Sequence, residues 1–296
     1  MITPTVTIAM PVWNCEATLP ASLASIQAQT FENWSLELVD DGSTDGTVDL
    51  AMEAARVDKR IHAVVDQHHK EIAVRLNEVI ERTDTEFFAR MDGDDIAYPE
   101  RFAIQLERIV SDARLDLVGG SILIFRDGGV AIGCRRSPLM HEQICAHPHR
   151  GFALPHVTFF GKTALFRRFR YRPSARLCED QDFLARASRT ARYANSPDLL
   201  VGYRENRLRM RKQLRARRHL ALHLAEIRWR LGDHRGALIA IPAQLLRASV
   251  DVAAITTGTE ESLLVHRYQP LSDVERSSWR SIWDAATRNQ GAVGAE

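Results

Sequence analysis

The chain has 296 residues, enough for one large domain or one domain with an appendage. Hydrophobic residues make up 45% and charged residues 26%, which is ordinary for a protein with a sizeable core. A net charge of +1 does not distinguish acidic from basic partners, but the charge is unevenly spread. Six of the ten residues in "RMRKQLRARR" (209–218) are basic.

The four cysteines are scattered, at positions 15, 134, 145 and 178, with no C-x-x-C pair. No basic segment with a cleavage site precedes the first apolar run, so we expect reduced thiols and a cytoplasmic location. The most apolar stretch, residues 237–255, contains a proline, a glutamine, an arginine and an aspartate. We therefore do not expect it to span a membrane.

Short β-rich runs alternate with helical patterns over the first hundred residues. Strands are predicted at 5–12, 34–39, 61–66 and 86–92, and helices at 18–30, 47–57 and 72–83. This alternation predicts an α/β fold with a doubly wound, mostly parallel sheet and helices on both faces. Such sheets bind ligands at the carboxyl ends of their strands.

Polar or aromatic residues follow three of these strands. Trp13 and Asn14 follow the first strand, and Asp40 and Asp41 follow the second. The fourth strand runs into "ARMDGDD" (89–95), which places three carboxylates within four positions. We expect all three groups to lie at one edge of the sheet.

The alternating pattern loosens beyond residue 99. A helix is predicted at 101–110, an extended segment at 115–125, a helix beginning at 179 and a last strand at 199–206. From 207 the chain becomes helical and basic. We predict a catalytic domain over residues 1–206 and a helical C-terminal extension over 207–296.

A divalent cation is the simplest partner for the crowded carboxylates. Mg²⁺ and Mn²⁺ prefer oxygen ligands and take one or two carboxylates together with phosphate oxygens. Alternate residues of an extended segment point the same way, so Asp92 and Asp94 can face one ion. Asp95 then faces elsewhere, toward a ribose hydroxyl or as a cap of the following turn. The alternative is a solvated acidic loop.

The segment "VDDGSTDGT" (39–47) has two interpretations. One of its carboxylates can accept a hydrogen bond from a base or from a ribose hydroxyl. Alternatively, the segment is an Asx-type turn before an N-capped helix, and both interpretations can hold together. Trp13 similarly fits stacking on a flat base or packing at the rim of the next helix.

Four motifs occur in order: "PVWN" (11–14), "QTF" (29–31), "VDDGSTD" (39–45) and "DGDD" (92–95). This ordered set resembles the inverting family-2 glycosyltransferases. These enzymes have the GT-A fold and move a sugar from a nucleotide diphosphate to an acceptor. The resemblance covers about residues 5–205. Each motif alone is weak, but the ordered set is specific.

The resemblance implies roles for individual residues. Pro11, Trp13 and Asn14 match the mouth of the nucleotide pocket, with Trp13 where the family usually has tyrosine. Asp41 matches the aspartate that meets the base, usually uracil, and Asp40 lies beside it.

For the metal, the resemblance implies that Asp92 and Asp94 hold Mn²⁺ or Mg²⁺ on the diphosphate, with Asp95 beside them. The sequence departs from the family where a glycine-rich turn often precedes the next helix. Here Lys70 and Glu71 stand in that turn. Arg75 is a candidate for neutralising the diphosphate.

Inverting transfer needs a carboxylate that deprotonates the acceptor hydroxyl. The segment "CEDQDF" (178–183) resembles the family's E-D-x-D motif, so Asp180 is the implied general base. Glu179 would contact the acceptor or sugar, with Asp182 supporting. The alternative is a set of acids favoured by a helix N-terminus. "LPHVTFF" (154–160) resembles a segment that lines the acceptor and sugar region, with His156 at its histidine position.

The expected partners are a nucleotide diphosphate sugar, which the family resemblance implies is a UDP sugar, and a saccharide or lipid-linked acceptor of surface polysaccharide synthesis. The basic extension suits an anionic membrane surface, or packs on the catalytic domain. Nucleic acid is not expected.

Two rival functions are a metal-dependent nucleotidyltransferase and a non-catalytic nucleotide-sugar-binding protein. A nucleotidyltransferase would normally have a glycine-rich, basic loop after the first strand, and this sequence has none there. Asp180 argues against a non-catalytic binding protein.

Overall fold

The structure is a computed structural model that describes residues 6–147, 151–205, 210–230, 232–259 and 268–288. A nine-stranded sheet forms its centre, in the order β3-β2-β1-β4-β8-β6-β9-β5, with β7 paired to β6. The strands are β1 (Val6–Val12), β2 (Trp34–Asp40), β3 (Ile61–Val64), β4 (Phe87–Arg90), β5 (Ile96–Ala97), β6 (Leu117–Arg126), β7 (Val130–Arg135), β8 (Phe160–Lys162) and β9 (Tyr193–Arg204).

Ten α-helices are described. They are α1 (Leu19–Gln27), α2 (Thr47–Val57), α3 (Ile72–Arg82), α4 (Arg101–Ser111), α5 (His141–Ile144), α6 (Thr163–Phe169), α7 (Glu179–Ala187), α8 (Met210–Arg230), α9 (His234–Thr256) and α10 (Asp273–Thr287). The predicted α/β fold is confirmed, and the first seven predicted elements form where the periodicity indicates.

Helices cover both faces of the sheet because successive side chains of a buried strand point to opposite faces. On β1, Ile8 and Met10 pack into the core that includes residues of α1, α2 and α4. Ala9 packs into the opposite core, which includes residues of α3, α6 and α7.

The first four strands by sequence, β1 to β4, pair in parallel, so their carboxyl ends meet at one edge. The remainder of the sheet is mixed. β8 lies antiparallel between β4 and β6, and β7 and β5 are antiparallel edge partners of β6 and β9. The sequence pattern did not reveal β8, because it is three residues long and leads directly into α6.

The C-terminal region has two parts that pack differently. α8 and α9 pack against each other, and α8 also packs against α7. α10 instead lies against the sheet, where Trp279 is buried beside Phe125 and Tyr98. A Cβ atom at Gly202 would lie 2.3 Å from the Trp279 ring, so only glycine permits this approach. The predicted boundary at 206/207 falls outside the described residues.

Candidate active site

A cavity of about 580 Å³ opens at the carboxyl edge of the sheet. Asp92 and Asp94 from the loop after β4 line it, together with Glu179 and Asp180 from the start of α7. The structure therefore brings together two acidic groups that are about 85 residues apart in the sequence. His156 lines the same cavity.

The carboxylates of Asp92, Asp94 and Asp95 offer ligand atoms that lie within 4.8 Å of one another. The loop that carries these three carboxylates is held by contacts with α1 and β1. The Ser22 hydroxyl of α1 donates to the Asp92 carbonyl at 2.9 Å, and a Cβ atom at Gly93 would lie 2.6 Å from Val12. The glycine therefore allows the loop to approach the end of β1.

The electrostatics of this cluster favour a bound cation. Burial and the neighbouring Asp92 raise the pKa of Asp94 to about 6, and burial raises the pKa of Asp95 well above its usual value. Asp95 Oδ1 accepts from the Arg204 backbone N–H at 2.8 Å, whereas its buried Oδ2 has no hydrogen-bond partner among the described residues. An all-oxygen donor set with excess negative charge fits Mg²⁺ or Mn²⁺.

Arg90 is a site residue that sequence reasoning missed. Its side chain is buried, lines the cavity and donates from Nη2 to Asp92 Oδ1 at 2.5 Å. Its Nε has no hydrogen-bond partner among the described residues. The available signal was an arginine inside the otherwise apolar strand "FFARM" (87–91), since a buried charge requires a partner.

Arg101, the second missed arginine, connects the loop of Asp92, Asp94 and Asp95 to the segment that carries His156. This fully buried side chain donates from Nη2 to the Arg90 carbonyl at 2.6 Å and to the Val157 carbonyl at 2.9 Å. Its Nε also donates to Gln105 Oε1 at 3.1 Å. These bonds position the backbone beneath the cavity.

The two carboxylates at the end of β2, Asp40 and Asp41, are both buried and already hydrogen-bonded. Asp40 accepts from the backbone N–H groups of Gly42 and Ser43, which is the Asx-type turn anticipated from the sequence. Asp41 accepts from the backbone N–H groups of Lys70 and Glu71 at 2.8 and 3.0 Å. Asp41 thus holds the loop before α3 against the end of β2.

The first motif surrounds this loop. Pro11 pairs with Val39 in the sheet, and the exposed Trp13 ring lies 4.8 Å from the His69 ring. Asn14 Oδ1 accepts from the Thr44 backbone N–H at 2.8 Å. An aromatic face therefore stands open beside Asp41, while Asn14 joins the loops after β1 and β2.

The structure does not support the expected contact between Arg75 and a diphosphate. The Arg75 side chain is 1% exposed, and its nitrogens donate to Asp41, Asp66, Glu78 and the His68 carbonyl. Its charge is thus already compensated inside the protein.

The departure from the family's glycine-rich turn has a structural cost. Glu71 adopts φ of +75°, a region that glycine enters easily and other residues rarely. The hydrogen bond from its backbone N–H to Asp41 holds it there, as does the ion pair between its carboxylate and Arg176.

The candidate base, Asp180, is half-buried at the start of α7. Burial raises the pKa of Asp180, while the Gln181 side chain donates to its Oδ2 at 2.9 Å and favours the ionised form. Burial and Asp180 raise the pKa of Glu179 to about 7. Asp182 instead faces Arg186 at 2.7 Å and is structural.

His156 Nε2 lies 3.0 Å from the Tyr171 hydroxyl. Burial and the nearby Arg90 charge lower the pKa of His156 well below the usual value, which favours the neutral imidazole. His156 is therefore suited to hydrogen bonding rather than to carrying positive charge.

Comparison with known proteins identifies the family. The model of glycosyl transferase family 2 matches residues 7–171, and the chain belongs to this family.

Several curated relatives carry glycosyltransferase names, and two of them serve as examples. EpsE of Bacillus subtilis (strain 168) is 36% identical over 140 residues, which are 47% of this chain and 50% of EpsE. The Escherichia coli UDP-Glc:alpha-D-GlcNAc-diphosphoundecaprenol beta-1,3-glucosyltransferase WfgD is 32% identical over 107 residues, 36% of this chain and 41% of WfgD. The matches thus span half or less of the length of these relatives.

Among solved structures, the mannosyltransferase PcManGT from Pyrobaculum calidifontis, in complex with GDP-Man and Mn²⁺, superposes with a TM-score of 0.58 at 17% identity. The match covers 98% of this chain and 87% of PcManGT. At this identity the likeness shows the fold.

Proposed function

We propose that this protein is a metal-dependent inverting glycosyltransferase. It transfers a sugar from a nucleotide diphosphate, a UDP sugar, to a hydroxyl of a saccharide or lipid-linked saccharide in surface polysaccharide synthesis. The observation that carries the proposal is the shared cavity of Asp92, Asp94 and Asp180. Membership of glycosyl transferase family 2 favours it over a nucleotidyltransferase.

Each group in the cavity has a proposed task. Asp180 takes the proton of the acceptor hydroxyl while the hydroxyl oxygen bonds to the anomeric carbon of the donor sugar. The bond from that carbon to the diphosphate oxygen breaks, and the diphosphate leaves with the electron pair. Attack from the face opposite the leaving group inverts the anomeric centre.

Asp92 and Asp94 would hold Mn²⁺ or Mg²⁺, with Asp95 beside them. When bound, the cation stabilises the negative charge that develops on the departing diphosphate. Arg90 offsets the mutual repulsion of the three carboxylates and orients Asp92 by its hydrogen bond. Trp13 offers its open face to the base, beside the loop that Asp41 holds.

We propose that Glu179 and His156 form the acceptor side of the cavity. Both line the cavity near Asp180, and a neutral imidazole and a carboxyl group can hydrogen-bond sugar hydroxyls. The WfgD name, with UDP-glucose and a diphosphoundecaprenol-linked sugar, supports a UDP donor and a lipid-linked acceptor. Because a lipid-linked acceptor lies in a membrane, we propose that the protein works at the inner face of the cytoplasmic membrane.

The test is a thermal-shift screen of nucleotide diphosphate sugars with and without Mn²⁺, followed by turnover of the stabilising donor. We expect Asp180→Asn to reduce transfer by about a hundredfold or more, with nearly unchanged nucleotide affinity. Substantial turnover in this variant would refute the base assignment. Equal stabilisation by every donor without metal would refute the metal assignment.

A further inference from the structure

Helix α9 has an inverted distribution of polarity. Its large apolar residues point outward, and each of them is 41% to 70% exposed. They are Leu238, Ile239, Ile241, Leu245, Leu246 and Val250. We call this set the α9 apolar face. Of the seventeen large hydrophobic residues that are exposed among the described residues, these six lie on one helix of 23 residues.

Polar groups occupy the opposite, inward side of α9. Gln244 and Asp251 are each 1% exposed, and Asp251 Oδ2 accepts from Arg217 Nε of α8 at 2.5 Å. Small residues, Ala237 and Ala240, make up much of the remaining contact side. Small residues and polar pairs inside, with leucine and isoleucine outside, are typical of helices that contact lipid.

α8 and α9 pack against each other as a helical hairpin, and the charge of this hairpin indicates which partner covers the α9 apolar face. Residues 210–256 contain nine lysine or arginine residues and three acidic residues. Two copies of the hairpin would bring positive charge against positive charge. Anionic lipid headgroups instead attract it, while the acyl region accepts the apolar side chains.

α9 is also the one described helix that is long and apolar enough to cross a membrane. Its inward Asp251 and Gln244 are already paired with α8, whose many arginines exclude α8 from the hydrocarbon region. If the two helices lie along the membrane surface, the arginines of α8 stay out of the hydrocarbon region and the apolar side chains of α9 still contact lipid.

We propose that the α9 apolar face lies in the headgroup and upper acyl region of an anionic bilayer, with the arginines of the hairpin at the headgroups. The inference deepens the membrane association in the proposed function, on which it rests, and identifies the element that makes the contact. It assigns the apolar contact to α9 rather than to the more basic α8.

The test uses the full chain and vesicles of phosphatidylcholine with or without phosphatidylglycerol. The variant combines Leu238→Gln, Leu245→Gln and Leu246→Gln, which keep helix propensity and side-chain length. We expect its partition to anionic vesicles to fall at least about a hundredfold, because each buried leucine contributes about tenfold or more. Wild-type binding is expected to weaken when phosphatidylglycerol is omitted or salt is raised.

The matched control combines Met52→Gln, Val110→Gln and Val274→Gln, three exposed apolar residues outside the hairpin, and should bind as the wild type does. Equal partition of wild type and the α9 variant would overturn the inference. So would a wild-type dimer that the α9 substitutions convert to monomers without vesicle binding. Vesicle binding by a protein that turns over no donor would refute the proposed function and leave the surface assignment standing.

Discussion

Asp41 and Arg75 form an ion pair inside the protein, with 2.6 Å between Asp41 Oδ1 and Arg75 Nε. The pair links the end of β2 to α3. Asp41 also accepts from two backbone N–H groups of the loop before α3. This one carboxylate therefore positions the side of the site assigned to the nucleotide.

Arg75→Ala should therefore destabilise the protein strongly. It leaves the buried Asp41 charge without its cation, which typically costs about 3–5 kcal/mol. The control is Arg82→Ala, since Arg82 pairs with Glu37 at 3.2 Å while 44% exposed, and such surface pairs contribute about 0–1 kcal/mol. Urea unfolding of both variants provides the measurement, and similar losses of unfolding free energy would contradict the assignment.

The activity should have an acidic limb above the ordinary pKa of an aspartate. Burial raises the pKa of Asp180, and the base is lost when it becomes protonated as pH falls. Gln181→Leu removes the hydrogen bond that favours the ionised form, so the limb should move to higher pH. The profile of kcat/KM against pH measures this, and a limb that stays in place or moves down would contradict it.

Metal binding should weaken as pH falls through about 6. Burial and Asp92 raise the pKa of Asp94 to about 6, and a protonated carboxyl group is a poor metal ligand. Calorimetric titration with Mn²⁺ between pH 5 and pH 8 tests this, with Asp94→Asn as the comparison. We expect Asp94→Asn to bind weakly at every pH, and affinity independent of pH in the wild type would argue against the cluster.

Arg90→Gln should make the protein more dependent on metal for its stability. The variant removes the cation that pairs with Asp92, so repulsion among the three carboxylates is no longer offset from within the chain. We expect a lower Tm without metal and a larger rise in Tm on adding Mn²⁺ than in the wild type. Equal rises in the two proteins would show that Arg90 does not offset this charge.

Trp279→Ala tests whether α10 stabilises the sheet. Trp279 is 2% exposed and its Nε1 donates to the Gly129 carbonyl at 2.8 Å, so truncation should cost about 3–5 kcal/mol. Trp229→Ala, at an exposed tryptophan of α8, should change stability by about 0.5 kcal/mol or less. Denaturant unfolding compares them, and a small effect at Trp279 would contradict the packing.

The sequence predicted the parallel half of the sheet because strand and helix periods alternate clearly there. It also indicated which strand ends carry the carboxylates, since each follows an apolar run directly. It did not predict that Arg75 would be buried, because helical spacing does not reveal that Asp41 and Asp66 converge on one side chain.

The antiparallel half of the sheet was harder to predict from the sequence for a similar reason. β8 and β5 have three and two residues and are defined by their neighbours rather than by any pattern of their own. The burial of Trp279 depends equally on Gly202, which lies 77 positions earlier in the sequence.

Arg204 connects the carboxylate loop to the far end of the chain. Its backbone N–H donates to Asp95 Oδ1, its Nε donates to the Asp94 carbonyl at 2.8 Å, and its guanidinium lies over the adjacent rings of Phe125 and Trp283. Trp283, one of these two rings, belongs to α10. A protein shortened to residues 1–206 would retain every carboxylate of the cluster but lose a support of the loop that bears them, so truncation should lower cation affinity as well as stability.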